Sequence, residues 1–339
     1  MDTRTVLKPD PAWQMLTLPK DYPPTLCVVV DTEEEFDWNS SFNPESRSIT
    51  NILSQPFAQE VMDRYGIVPT YVVDYPVANT PESVEVLREI HSEGRCEIGA
   101  HLHPWVNPPY GEVINELHSY PGNLPKGIEE QKLTQLTNQI EKSFGSRPTI
   151  YKAGRYGVGE STYRILNKLG YQVDTSIVPH TDFSKIQGPD FTSFPDQPFI
   201  ASHDIIELPH TVDFLGILAR VGPTLYPILS SKISKTLNLG SIAAKVHGLE
   251  RLRLSPEGHS LNDMKRQTRW ALDQGHKYFM LSYHSSTLLP GATNYVHDEK
   301  DRIRFLSKLD AYFDYFLNRC NGSTLSITEI KNALIKVTK

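Results

Sequence analysis

The chain has 339 residues, with 34 Lys and Arg against 40 Asp and Glu and a formal charge of −6. This balance excludes a basic nucleic-acid binder, and ordinary charged (22%) and hydrophobic (39%) fractions exclude disorder and collagen-like repeats. Cys27, Cys96 and Cys320 form no CxxC, so neither a disulfide framework nor a thiolate zinc site is indicated and a reducing compartment fits best.

Residues 1–24 are Pro-rich and aperiodic and read as an extended arm. Charges at Asp2, Arg4, Lys8 and Asp10 leave no apolar core for a signal peptide, and no later stretch approaches the roughly 20 apolar residues of a membrane span, so the expected address is the cytoplasm. From residue 25 to 339 the sequence reads as one domain in which short β-branched runs alternate with amphipathic stretches, the pattern of an α/β sheet or barrel. Strands are predicted over Leu26–Asp31, Pro69–Asp74, Cys96–His101, Thr149–Lys152, Tyr171–Ile177, Ile205–Leu208, Tyr278–His284 and Thr324–Ile327. One intervening helix aligns Leu133, Leu136, Ile140 and Phe144 behind an acidic first turn at Glu129 and Glu130; another aligns Ile303, Leu306, Phe313 and Leu317. Gly94, Gly170 and Gly275 fall where a helix ends before a strand. A helical insertion is expected over 212–256. Within it, residues 214–249 carry Arg220, Lys232, Lys235 and Lys245 and no acid, a charge inversion suited to solvated helices on the barrel wall or to a surface that meets an anionic substrate or a membrane.

The polar residues collect where these strands end. The first strand runs into Asp31-Thr-Glu-Glu-Glu-Phe-Asp-Trp38, the third into His101-Leu-His-Pro-Trp105, the fourth into Lys152-Ala-Gly-Arg155-Tyr156-Gly157; the fifth contains Asp174 and the seventh ends at His284. In a parallel barrel all carboxyl ends share one face, so residues remote in sequence converge there. Residues i and i+2 of an extended segment point the same way: His101 and His103 can present two imidazoles to one ion, and Asp31 and Glu33 two carboxylates to one cavity. Two His and one carboxylate with an open position make a catalytic mononuclear site; zinc is the first choice, and cobalt, nickel, manganese or iron also suit the donors. Glu34 lacks the parity of Asp31, and Glu34 and Glu35 are both assigned to solvent or to a supporting role. Trp38 and Trp105 are read as packing residues or as faces for a sugar ring. His91 and His118 are assigned to the surface.

The ordered set VVVDTEEEFDW, EIGAHLHPW, YKAGRYG, GYQVDTSIVP, ELPHT and LSYHSSTLLPG resembles the polysaccharide deacetylase (NodB-homology) superfamily, carbohydrate esterase family 4, in its DTEEEFDW/AGRYG branch. The resemblance spans about residues 22–291 and implies a distorted (β/α)7 TIM-like barrel with one divalent ion, hydrolysing an N-acetyl or other N-acyl group on an amino sugar in a glycan or glycan precursor. Carried over, Asp31 matches the base, Glu33, His101 and His103 the metal ligands, and His284 the general acid. Lys152 stands where an Arg holds the base, with Arg155 nearby, and Tyr156 stands where a backbone N–H faces the oxyanion. Three features depart from the pattern: HxxxH is compressed to HxH, the ligand carboxylate is a Glu, and the Arg is a Lys.

Three other readings compete. A linear or cyclic non-sugar amide is one substrate alternative on the same barrel. A two-carboxylate glycosidase using Asp31 and Asp174 would leave His101, His103 and His284 idle. A non-catalytic glycan-binding barrel would lack a base, acid or ligand, and none is missing.

Overall fold

The computed structural model describes residues 7–36, 42–222, 224 and 248–338. The arm contributes a short strand, β1 (Gln14–Met15), and the predicted alternation follows. Parallel strands are β2 (Thr25–Thr32), β3 (Thr70–Val73), β4 (Glu97–Leu102), β5 (Ile150–Ala153) and β6 (Val173–Asp174). Next come β7 (Phe199–Ile200), β8 (Ile206–Glu207), β9 (Val212–Leu215) and β10 (Glu250–Arg253), then β11 (Tyr278–His284) and β12 (Ser323–Thr324). The helices are α1 (Gln55–Asp63), α2 (Tyr75–Asn79), α3 (Pro81–Ser92), α4 (Ile128–Phe144), α5 (Thr162–Leu169), α6 (Leu261–Asp273), α7 (Glu299–Asp314) and α8 (Ile327–Thr338). Gly94, Gly170 and Gly275 do stand after helices with left-handed φ of 71°, 88° and 86°.

Seven parallel strands run in the order β11, β2, β3, β4, β5, β6, β8, and β7 with β1 extends the β8 edge antiparallel. This is an α/β fold of distorted seven-stranded barrel type. Between β8 and β11 the wall is completed by single contacts: Leu254 N–H donates to Thr211 O, and Ser282 N–H to Leu254 O.

Side-chain alternation sorts each strand between two cores. Cys27 and Val29 of β2, Val72, Ile150, Val173, Ile206 and Met280 form the barrel interior, closed at the amino end by Ile327, Ile330 and Leu334 of α8. Leu26, Val28 and Val30, with Tyr71, Ala100, Tyr151 and Leu281, face the helix layer beside Leu133, Leu136 and Ile140 of α4. Asp31, two residues beyond Val29, therefore continues the interior row.

The described ends of the insertion, expected to be helical, are instead the strands β9 and β10, an antiparallel ribbon with Val212 opposite Arg253 and Leu215 opposite Glu250. Gly216, at φ 107°, ends the first strand, so the apolar run Phe214 to Leu218 cannot continue as one helical face. Residue 223 and residues 225–247, with Lys232, Lys235 and Lys245, lie outside the described residues, as does Trp38. Among the described residues no helix is long and apolar enough to cross a membrane.

Candidate active site

Register places the site before any side chain is considered. Asp31 on β2 stands opposite His284 on β11, and His101 on β4 stands opposite Lys152 on β5. All four share the inward parity, at the carboxyl end of the barrel.

Glu33 Oε2 lies 3.4 Å from His101 Nε2 and 3.4 Å from His103 Nε2, and all three residues are buried. The far nitrogens of both rings are engaged: His101 Nδ1 is 3.0 Å from Lys152 O and His103 Nδ1 is 2.7 Å from a Glu34 carboxylate oxygen. A carbonyl only accepts, so His101 carries its proton on Nδ1, and its Nε2 turns a lone pair towards Glu33. Two imidazole lone pairs and a carboxylate aimed at one buried point repel one another unless a cation sits between them. The donor set fits a divalent ion on that ground, and the three ligand atoms lie within 4.8 Å of one another.

Glu34 was assigned to solvent or a supporting role; the structure excludes solvent. It is fully buried, accepts from Trp105 Nε1 (2.7 Å) as well as from His103, and its backbone N–H donates to Asp74 (2.7 Å). Burial raises its carboxyl to about 7 and raises Asp74 well above the carboxylate range. Trp105, stacked on His103 with ring centroids 4.3 Å apart, is fully buried and offers no face to a sugar. Gly154 is required beside this ring, because a Cβ there would fall 2.5 Å from His103 Cδ2 and 2.3 Å from Leu102 O.

Asp31 is held by Lys152, whose Nζ donates at 2.5 and 2.7 Å to its two oxygens, and His284 Nε2 is 3.5 Å away. Burial alone would raise the Asp31 carboxyl, but Lys152, His101 and His284 outweigh it and hold the group well below the usual carboxylate range. His284 is fixed from behind by Glu257, which accepts from its Nδ1 at 2.8 Å and from its backbone N–H at 2.9 Å. Burial would lower this imidazole; Glu257, Glu33 and Asp31 reverse that and raise it to about 10, so it is a cation at neutral pH. The sequence reading missed Glu257. It sits in a loop before α6 with no strand-end signal to mark it.

Two candidates are not brought to this cluster. Arg155 donates to Glu116 (2.7 Å) and Ser119 and lies over the Tyr120 ring, so the cation that holds Asp31 is Lys152. Asp174 has the opposite parity to Val173, which faces the barrel interior, and points into the helix layer; it accepts from Ser176 and neighbours Glu207, whose Oε2 accepts from Tyr163 of α5. Tyr156 does border the cluster, with Lys152 Nζ 5.2 Å from its ring centroid. It follows Arg155 in the left-handed region (φ 60° and 54°), a strained pair of non-glycine residues of the kind that collects at functional sites. The rings of His91 and His118, expected at the surface, are half-buried and sit against the backbone carbonyls of Cys96 and Val113, away from the cluster.

No protein-family model and no curated protein matches the sequence. Solved structures do match in fold. A protein of Mycobacterium smegmatis assigned as a polysaccharide deacetylase is 14% identical, with 99% of this chain and 95% of that chain covered and a TM-score of 0.53. A protein of Parabacteroides distasonis assigned as a glycoside hydrolase/deacetylase is 10% identical, with 91% of this chain and 70% of that chain covered and a TM-score of 0.56. At these identities the likeness establishes the barrel: the chain has the fold of these two proteins across nearly its whole length.

Proposed function

We propose that the protein is a metal-dependent amide hydrolase that removes an N-acetyl or other N-acyl group from an amino sugar in a glycan or glycan precursor, with residues 25–339 as the catalytic unit. The observation that carries the proposal is the Glu33–His101–His103 cluster standing beside a carboxylate clamped by Lys152 and a His284 held cationic by Glu257. A divalent ion in that cluster, zinc by preference, would polarise the amide carbonyl and make a water acidic enough to attack near neutral pH.

The residues divide the remaining work. Asp31, kept ionised by the Lys152 ammonium, accepts the proton of the attacking water. His284 gives a proton to the departing amine, which is otherwise a poor leaving group. Glu257 keeps that proton on His284 until it is needed. The turn at 155–156 supplies the backbone donor expected opposite the oxyanion. A two-carboxylate glycosidase is disfavoured because Asp174, its second carboxylate, faces the helix layer and accepts from Ser176.

The test is release of acetate or formate from N-acetyl and N-formyl amino sugars by metal-replete protein, alongside elemental analysis. Release that disappears on chelation and returns with zinc or cobalt is expected. Failure to release acid from every N-acyl sugar, or equal release by the chelated protein, would overturn the reading.

A further inference from the structure

The ribbon β9–β10 brings a cation to the site for which the hydrolytic reading has no use. Arg253, on β10, donates to the Tyr156 hydroxyl, and its guanidinium carbon is 5.8 Å from the centroid of the same ring that Lys152 Nζ approaches from 5.2 Å. Asp31 and Glu257 are near enough to act on its charge, yet neither pairs with it. Asp31 is committed to Lys152; Glu257 is committed to His284 and to Thr287, which donates at 2.6 Å. Among the described residues Arg253 forms no ion pair, and its hydrogen bond is to a phenol. A guanidinium has five donors in a planar fork that fits a carboxylate or phosphate bidentately, so burying part of it beside a single neutral acceptor is costly unless a ligand supplies the rest.

Arg253 is also reachable. It is partly exposed, and Tyr295, half exposed, is close enough to feel both Arg253 and Tyr156. Arg251, on the same face of β10 by strand alternation, is tied to Thr181 at 2.6 Å, which leaves Arg253 as the member of the pair turned to Tyr156.

We propose that Arg253 is a substrate-binding residue that pairs with an anionic group, a carboxylate or phosphate, on the acylated amino sugar, so that the substrate class is an acidic sugar rather than a neutral one. This rests on the proposed amide hydrolysis and names the substrate of that same site. Lys152, the other cation facing Tyr156, cannot serve in this way because Asp31 neutralises it. The anion then sits on the Tyr156 side of the reacting amide, away from His103 and Trp105.

The test compares N-acetylglucosamine with its 1-phosphate, its 6-phosphate and its uronate, on the wild type, Arg253→Gln and Arg253→Lys. The wild type should favour at least one acidic sugar over the neutral one by about tenfold or more in kcat/KM, through KM. Arg253→Gln should collapse that ratio at least tenfold, and Arg253→Lys should retain part of it. Metal content and melting temperature of each variant separate a folding loss from a recognition loss. Equal kcat/KM for all four sugars in the wild type, or an Arg253→Gln variant that loses neutral and acidic sugars alike, would overturn the assignment while leaving hydrolysis intact. Calorimetric titration of the same sugars provides the converse: binding of an acidic sugar that is lost in Arg253→Gln, with no acid released from any sugar, would uphold the anion site and overturn the hydrolase.

Discussion

The strand ends and the ribbon supply the site with different kinds of residue. At the ends of β2, β4, β5 and β11 the groups assigned to the chemistry are locked by partners: Asp31 by Lys152, His103 by Glu34, His284 by Glu257. On the ribbon, Arg253 has a phenol for its partner among the described residues and is partly exposed. Groups that do chemistry must hold one geometry and one protonation state, and burial among opposed charges provides both; a group that selects among substrates needs an unsatisfied valence. Partners, more than position, separate the two roles here.

The sharpest way to break this division is to remove a locked group. His101→Ala should lose the metal ion and essentially all turnover, whereas Asp31→Asn should lose roughly 10²–10⁴-fold in kcat, the worth of a general base, while keeping the ion. Elemental analysis beside acetate release checks both. Asp31→Asn strips Lys152 of its counter-charge, and breaking a buried pair costs about 3–5 kcal/mol, so its melting temperature should fall as well. An Asp31→Asn protein that arrives empty would make Asp31 a ligand and merge two roles that the geometry keeps apart.

A smaller effect is expected from the support behind the acid. Glu257→Gln preserves the shape but removes the leading cause that holds His284 up at about 10. A general acid must carry its proton, so activity falls as pH rises through that value, and in the variant the alkaline limb of kcat/KM should move to lower pH with kcat reduced about tenfold or more. The sign for stability is the same: this pair's contribution is fully present below ~6.5, the ordinary histidine value, and is lost as pH rises through about 10. An unchanged alkaline limb would remove His284 from the acid role.

Glu34→Gln should be milder still at neutral pH. The residue orients His103 from the far side, and losing such outer support costs about 10–100-fold in metal affinity. Competition with a metal-chelating dye reads this directly, apart from any activity, and a variant with wild-type affinity would reduce Glu34 to packing.

What could be read from sequence follows the same line as the comparison. The strand runs were legible because parallel interior strands are written as short β-branched segments, and Asp31, His101, His103, Lys152 and His284 were legible because inward parity at a strand end is a local property. Glu34 was discounted on parity, since a residue just past a strand need not keep the alternation once the chain turns, and here it folds back under His103. Arg253 lies within the segment read as a helical insertion and Glu257 just beyond it, and their value depends on tertiary placement beside His284 and Tyr156. At the described ends of 212–256 strands replace the expected helix, because the apolar cluster around 214–218 belongs to a strand, a glycine turn and the residues after it rather than to one helical face.

Asp174 tests whether the line between site and scaffold is drawn in the right place, and its predicted effect is the smallest. It shares the carboxyl end of a strand with the reacting groups but has the opposite parity, so it is buried against Ser176 and Glu207 in the helix layer. Burial raises its carboxyl to about 6 and raises Glu207 well above its ordinary value, so the fold favours the protonated forms. The sign follows: the penalty is absent below ~3.9, the unperturbed Asp value, and fully present once pH passes about 6. Asp174→Asn keeps an acceptor for Ser176 and removes the charge. It should therefore leave kcat/KM and metal content close to wild type and raise the melting temperature at pH 8, by ~2–4 °C for each kcal/mol recovered in a domain of this size, with no gain at pH 4. A loss of turnover of roughly a hundredfold without loss of stability would return Asp174 to the catalytic set and show that strand parity had been trusted too far.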